Sequence, residues 1–166
     1  MKKTIFCVSA IVLVFASNTL FAGDLKWHNF NEGLKKAEKE NKNVIVDFYA
    51  DWCHWCKVMD EKTFLEKNVA QKLVKSFVTV RIDTENRNQT VVFKGKTYNN
   101  SQLSQLFGVT GLPTLAFLDS KGEPITILPG YIPADEFIHI LNYIDKECYK
   151  KMSYTDFKNQ DCAETQ

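Results

Sequence analysis

VIVDFYADWCHWCK, residues 44–57, decides the reading of this chain. Val44, Ile45, Val46, Phe48 and Tyr49 form a near-continuous apolar run, the pattern of a strand buried on both faces. One acid, Asp47, interrupts it. Cys53 and Cys56 follow at once, three positions apart, with Trp52, His54 and Trp55 around them. A cysteine pair of this spacing can hold haem, hold a metal, brace a fold or exchange electrons. Haem attachment requires a histidine after the second cysteine, and residue 57 is lysine. A closed zinc site needs four ligands and the motif supplies two, so no metal is expected. A purely structural disulfide across so short a loop gains little from closure. Thiol–disulfide exchange remains, and it requires no cofactor.

The position suits that chemistry. A cysteine at the start of a helix faces free N–H groups and the positive end of the helix dipole, which favour the thiolate. Cys53 is therefore expected to attack and Cys56, one turn on, to resolve the mixed disulfide. Asp47 lies six residues before Cys53. A carboxylate buried there should have a raised pKa, which suits a proton acceptor for Cys56. The competing reading puts Asp47 at a solvent-facing strand edge. Trp52 is expected as an apolar docking rim and Trp55 as a second rim or packing residue. His54 and Trp55, the dipeptide between the cysteines, are candidates for tuning the redox potential.

A second motif, GVTGLPT at residues 108–114, precedes another apolar run. Pro113 is a candidate for a cis peptide bond, against the commoner trans proline at a strand start. A cis turn would leave the Leu112 backbone free to pair with an extended substrate segment.

Working outward, an amphipathic helix is expected over residues 29–43, capped by Asn31, with Gly33 weakening its start. Further helices are expected over 57–64, 69–75 with Asn68 as cap, 101–107 ending at Gly108, and from Pro133 onward. Strands are expected over 43–50, 77–82, 114–119 and 125–128, with a small hairpin turning at residues 94–96. Helices between strands imply parallel pairs, and the short 120–123 turn makes the last pair antiparallel. The fold class is α/β: a central mixed sheet flanked by helices on both faces.

The 166 residues suit one domain, and 45% hydrophobic with 25% charged residues is enough for a packed core. A net charge of +1 with dispersed basic residues argues against nucleic-acid binding. Residues 1–22 resemble a secretion signal: Lys2 and Lys3, an apolar run at 5–16, and Ala22 before the cut. The run is short for a membrane anchor. The expected division is a signal at 1–22, a domain at 23–150 and a tail at 151–166. Export from a bacterium means the periplasm, an oxidising compartment. Four of the five cysteines then remain, and Cys148 and Cys162 are expected to pair and pin the tail. Free thiols or a bond to another chain stay open.

The first motif with GLPT at residues 111–114 resembles the thioredoxin-fold thiol:disulfide oxidoreductases, over roughly residues 25–157. YADWC-x-x-CK is similar to the C-terminal periplasmic domain of the transmembrane reductase DsbD. The tail YKKMSYTDF, 149–157, resembles that of exported SoxW-type thioredoxins. The resemblance implies Cys53 as attacking thiol, Cys56 as resolving thiol, Asp47 as buried acid and Pro113 as cis proline. It also implies a reductase of disulfide-bearing exported proteins, supplied with electrons by a DsbD- or CcdA-like membrane protein; the protein is expected to be a monomer. An oxidase or isomerase, with His54 stabilising the thiolate, is the alternative. A non-catalytic module binding metal or an apoprotein is the less favoured one. His54–Trp55 replaces the Gly-Pro of plain thioredoxins, and the 84–100 segment is longer than theirs.

Overall fold

The computed structural model describes residues 24–160 and residue 162. The expected signal at 1–22 lies outside them. Six helices and six strands follow in the order α1 (Phe30–Glu40), β1 (Asn43–Tyr49), α2 (His54–Met59), α3 (Lys67–Ser76), β2 (Phe77–Asp83), β3 (Thr90–Phe93), β4 (Lys96–Asn99), α4 (Asn100–Leu106), β5 (Thr114–Leu118), β6 (Pro124–Pro129), α5 (Ala134–Asp145) and α6 (Tyr154–Asn159). A π-helical turn, Asp60–Phe64, continues α2, and a 3₁₀ turn, Cys148–Lys150, follows α5.

The main sheet has the order β2-β1-β5-β6. β1 and β2 are parallel, while β5 runs antiparallel to β1 and β6 antiparallel to β5. The antiparallel β1–β5 pair departs from the expectation that helix-separated strands are parallel. The reason is where the connection goes. β2 ends at Asp83 beside Tyr49, and β5 begins at Thr114 beside Phe48. The segment between them, with the β3–β4 hairpin and α4, therefore leaves and re-enters at one end of the sheet. That hairpin forms its own two-stranded sheet, turned by Lys94 and Gly95, both at positive φ.

Alternate residues of β1 face opposite layers. Val44, Val46 and Phe48 join Phe30, Leu103, Phe107 and the hairpin's Val91 and Phe93 on one face. Ile45 joins Met59, Phe64, Leu73, Phe137 and Leu141 on the other. Helices thus cover both faces. Asp47 shares the face of Ile45, the side on which α2 and its continuation pack.

The helix starts differ from those expected. Asn29, not Asn31, caps α1, accepting from the Glu32 N–H at 3.0 Å. Asn31 instead brackets the Val92 backbone, its amide donating to the carbonyl at 2.7 Å and accepting from the N–H at 3.0 Å. α3 begins two residues early because the Glu66 carboxylate, not Asn68, accepts from the Asn68 and Val69 N–H groups. Pro133 sits at the N-cap of α5 rather than inside its first turn. Asn99 and Gln102 form a reciprocal capping box on α4. Gly33 is dictated by close approach: a β-carbon there would lie 2.1 Å from Val80 Cγ2.

The tail folds back on α5. Ser153 caps α6, Tyr154 Oη donates to Glu136 at 2.8 Å, and Lys158 pairs with the same carboxylate at 2.7 Å. Tyr143 Oη donates to the Met152 carbonyl at 2.6 Å, and its ring lies 5.3 Å from those of Tyr154 and Phe157. A disulfide joins Cys148 to Cys162. No helix among the described residues is long and apolar enough to cross a membrane.

Candidate active site

β1 delivers the chain to the end of the sheet where β5 starts. There a short loop, 50–53, turns into α2. Cys53 is the N-cap of α2, with its own N–H donating to the Ala50 carbonyl at 3.0 Å. The helix thus starts at His54, three residues before the expected Lys57. A disulfide joins Cys53 to Cys56, with Cα atoms 5.3 Å apart. The Cys56 N–H donates to Cys53 Sγ at 3.1 Å. This donor, in the first helical turn, is the group that would meet a thiolate at position 53 after reduction.

Both cysteines are nearly covered, at 3% and 4% exposure, whereas Trp52 and Trp55 stand out at 67% and 54%. The sulfurs therefore lie just under a surface raised by their neighbours. Trp55 is tilted against Tyr131 at 5.4 Å and meets His54 edge-on at 5.6 Å. On the other side of the disulfide the 109–112 segment leads into β5. The Leu112–Pro113 peptide bond is cis. The Leu112 N–H and carbonyl bond to nothing among the described residues.

Beneath the motif, Asp47 is 1% exposed. Its neighbour across the parallel pair is Arg81. Arg81 Nε donates to Asp47 Oδ2 at 2.9 Å and Nη2 approaches the same oxygen at 2.8 Å. Nη2 also donates to Asp60, which the π-helical turn carries to this point. The guanidinium is held between the rings of Trp27 and Tyr49, at 4.5 and 4.8 Å. Asp47 Oδ1 is buried with no hydrogen-bond partner among the described residues. Burial raises the Asp47 pKa to about 6, and the attraction of Arg81 only partly opposes this. Burial likewise disfavours the Arg81 charge, but Asp47 and Asp60 outweigh it and hold its pKa above the ordinary value.

Residues 30–145 match the family model of the thioredoxin-like domain. The chain belongs to the thioredoxin-like domain family. Among thioredoxin-like relatives, the thiol:disulfide interchange protein DsbD of Actinobacillus pleuropneumoniae serotype 5b is 33% identical over 112 residues, covering 66% of this chain and 18% of that one. The crystal structure of the reduced DsbD C-terminal domain of Neisseria meningitidis matches with a TM-score of 0.52 and 27% identity, over 68% of this chain and 90% of that chain. A thioredoxin from Thermus thermophilus matches with a TM-score of 0.60 and 22% identity, over 84% of this chain and 99% of that chain. That last likeness bears on the fold alone. This thioredoxin-like chain spans less than a fifth of the length of the first curated relatives it matches.

The structure gathers Cys53, Cys56, Trp52, His54 and Trp55 at one end of the thioredoxin-like sheet, with Leu112 and Pro113 at the start of β5 beside it. Asp47 lies on the α2 side of β1, buried rather than at a solvent-facing edge. Cys148 and Cys162 lie apart, at the end of α5 and in the tail. Sequence reasoning missed Arg81, Asp60, Trp27 and Tyr49 as members of the charged network. One signal was present: Arg81 is the lone charge in FVTVRI, just as Asp47 is in NVIVDFY, and each is fifth in its strand.

Proposed function

We propose that this protein is an exported thiol:disulfide oxidoreductase that reduces disulfides of other periplasmic proteins. The observation that carries this reading is the Cys53–Cys56 disulfide at the first turn of α2, with the Cys56 N–H directed at Cys53 Sγ. Family membership and relatives named thiol:disulfide interchange proteins support it.

In the reduced protein Cys53 is the attacking thiolate, held by the N–H groups at the helix start. It attacks one sulfur of the substrate disulfide, and the other sulfur leaves as a thiolate that takes a proton from water. Cys56 then gives its proton to the Asp47 carboxylate and attacks the Cys53 sulfur of the mixed disulfide. The second substrate thiolate leaves, and the protein ends as the Cys53–Cys56 disulfide. Two electrons pass from the protein dithiol to the substrate. A membrane donor of the DsbD or CcdA kind restores the dithiol, since the compartment is oxidising. An Asp47 carboxyl with a pKa of about 6 is mostly ionised at neutral pH and still basic enough to accept that proton.

The remaining residues orient the partner. Trp52 and Trp55 give an apolar rim, with His54 and Trp55 setting the potential. Leu112, before Pro113, offers its backbone to an extended segment of substrate. Residues 1–22 direct export, 23–150 form the catalytic domain, and the 151–166 tail is tied to it through Cys148 and Cys162. The protein acts as a monomer.

Equilibration of Cys53–Cys56 against glutathione tests the direction. A reductase gives a potential near the thioredoxin value of about −270 mV and speeds insulin reduction by dithiothreitol. A potential near the DsbA value of about −120 mV would overturn the reductase reading.

A further inference from the structure

A groove of about 590 Å³ opens beside Trp52. Trp52 forms one wall, the 84–89 loop and α4 the other, and the 109–112 segment its end. The loop belongs to the stretch that is longer here than in plain thioredoxins, and it is built as a fixed wall. Thr84 donates to the Tyr49 carbonyl through both N–H and Oγ1, at 2.9 and 3.1 Å. The buried Asn100 amide donates to the Asp83 carbonyl at 3.0 Å and to Gln89 Oε1 at 3.3 Å, clamping the loop at both ends. Between the clamps, Asn86 Oδ1 accepts from the Asn88 and Gln89 N–H groups at 3.1 Å each. A wall ordered in advance spares a ligand the entropy of ordering it.

The groove is rich in unspent donors. The N–H groups of Thr110, Gly111 and Leu112 have no acceptor among the described residues, and the Ser101 hydroxyl and Gln105 amide make no side-chain hydrogen bond there. Arg87, exposed on the loop, lines the groove and forms no ion pair among those residues. Among the described residues, Glu85 is the one carboxylate in the lining. A lining of this kind suits an extended backbone, whose carbonyls meet the free N–H groups, and an anionic side chain, which meets the guanidinium fork.

We infer that Arg87 receives a carboxylate carried by the extended substrate segment proposed above to pair with Leu112, a few residues from the reacting cysteine. The inference rests on the function proposed above and adds a substrate class to it: disulfides flanked by acidic residues. Glu85 weakens the preference by repelling the same carboxylate, and Arg87 decides its sign.

The test uses two peptides that differ only in carrying Glu or Lys beside one cysteine, each in mixed disulfide with 2-mercaptoethanol. The protein dithiol reduces each to peptide thiol and 2-mercaptoethanol, and dithiothreitol regenerates the dithiol. The wild-type protein is expected to favour the acidic peptide about threefold in kcat/KM, the size of effect an exposed ion pair gives. Arg87→Lys keeps the ratio above one, Arg87→Glu inverts it, and Glu85→Gln raises it. Because each ratio is internal to one variant, a change in overall activity does not disturb it. A wild-type ratio of one or less, or a ratio unmoved by Arg87→Glu, overturns the inference. Failure of the wild-type protein to reduce bis(2-hydroxyethyl) disulfide would instead refute the parent function.

Discussion

Arg81 Nε donates to Asp47 Oδ2 at 2.9 Å, and the in-register parallel pairing of β1 with β2 holds the two side chains together. Asp47 Oδ1 has no hydrogen-bond partner among the described residues and is buried on the face covered by α2. An ion pair with every oxygen satisfied would be a structural clamp. One left incomplete retains the capacity to take a proton.

That carboxyl also sets a pH dependence of stability. Its pKa is raised from 3.8 to about 6 by burial. Below about pH 4 it is protonated in folded and unfolded chains alike and costs nothing. Between about pH 4 and 6 the unfolded chain releases the proton while the folded chain keeps it, so stability falls as pH rises. Above pH 6 the full penalty is present, about 3 kcal/mol for a shift of this size. Asp47→Asn mimics the protonated form. It is expected to stabilise the protein at pH 7 by up to about 3 kcal/mol and to change nothing at pH 4, measured by urea unfolding at both pH values. The same variant should lose about tenfold or more in insulin reduction at pH 7, as expected when a general base is removed.

Gly33 lies in α1, where alanine would ordinarily favour the helix by about 1 kcal/mol. Here the added β-carbon would meet Val80 Cγ2 at 2.1 Å, inside a closed layer between α1 and β2. Gly33→Ala is therefore expected to destabilise by about 1–3 kcal/mol, the cost of overpacking, with a lowered thermal midpoint. A neutral or stabilising result would mean that the layer is looser than described.

Replacing Cys148 and Cys162 together by serine opens a loop with a sequence separation of 14. Loop-closure entropy puts the loss at about 3 kcal/mol. With the strap gone, the tail is still held on α5 by Tyr154, Phe157 and Lys158 and by the Tyr143–Met152 hydrogen bond. Trypsin should then cut at Lys150, Lys151 or Lys158 sooner than in the wild-type protein, while Cys53–Cys56 still cycles.

Much of this architecture is legible along the chain, because the decisive signals are local. Five apolar residues broken by one acid announce β1 and its unusual carboxylate, and the cysteine spacing announces a helix there, though it begins three residues before the expected start. What is not legible depends on partners distant in sequence. Asn29 and Asn31 are both competent caps, and only the edge of β3 claims Asn31. Glu66 and Asn68 compete similarly for α3. The antiparallel β5 follows from a connection that returns to the end it left, which no local pattern encodes. Arg81 could have been read as the counterpart of Asp47, since each is a charge set fifth in its strand after four uncharged residues. Asp60 could not, because its contact with Arg81 joins the end of α2 to β2, elements that no local pattern places side by side.

The central claim is that Cys53 is the activated sulfur and Cys56 the one that resolves. The measurement that tests it most directly is alkylation of the reduced protein with iodoacetamide across pH 4–9, each cysteine followed by peptide mass. Cys53 is expected to react first, with a midpoint below the free-cysteine value of about 8.5, while Cys56 stays protected. Preferential alkylation of Cys56, or a Cys53 midpoint at or above about 8.5, would contradict the account.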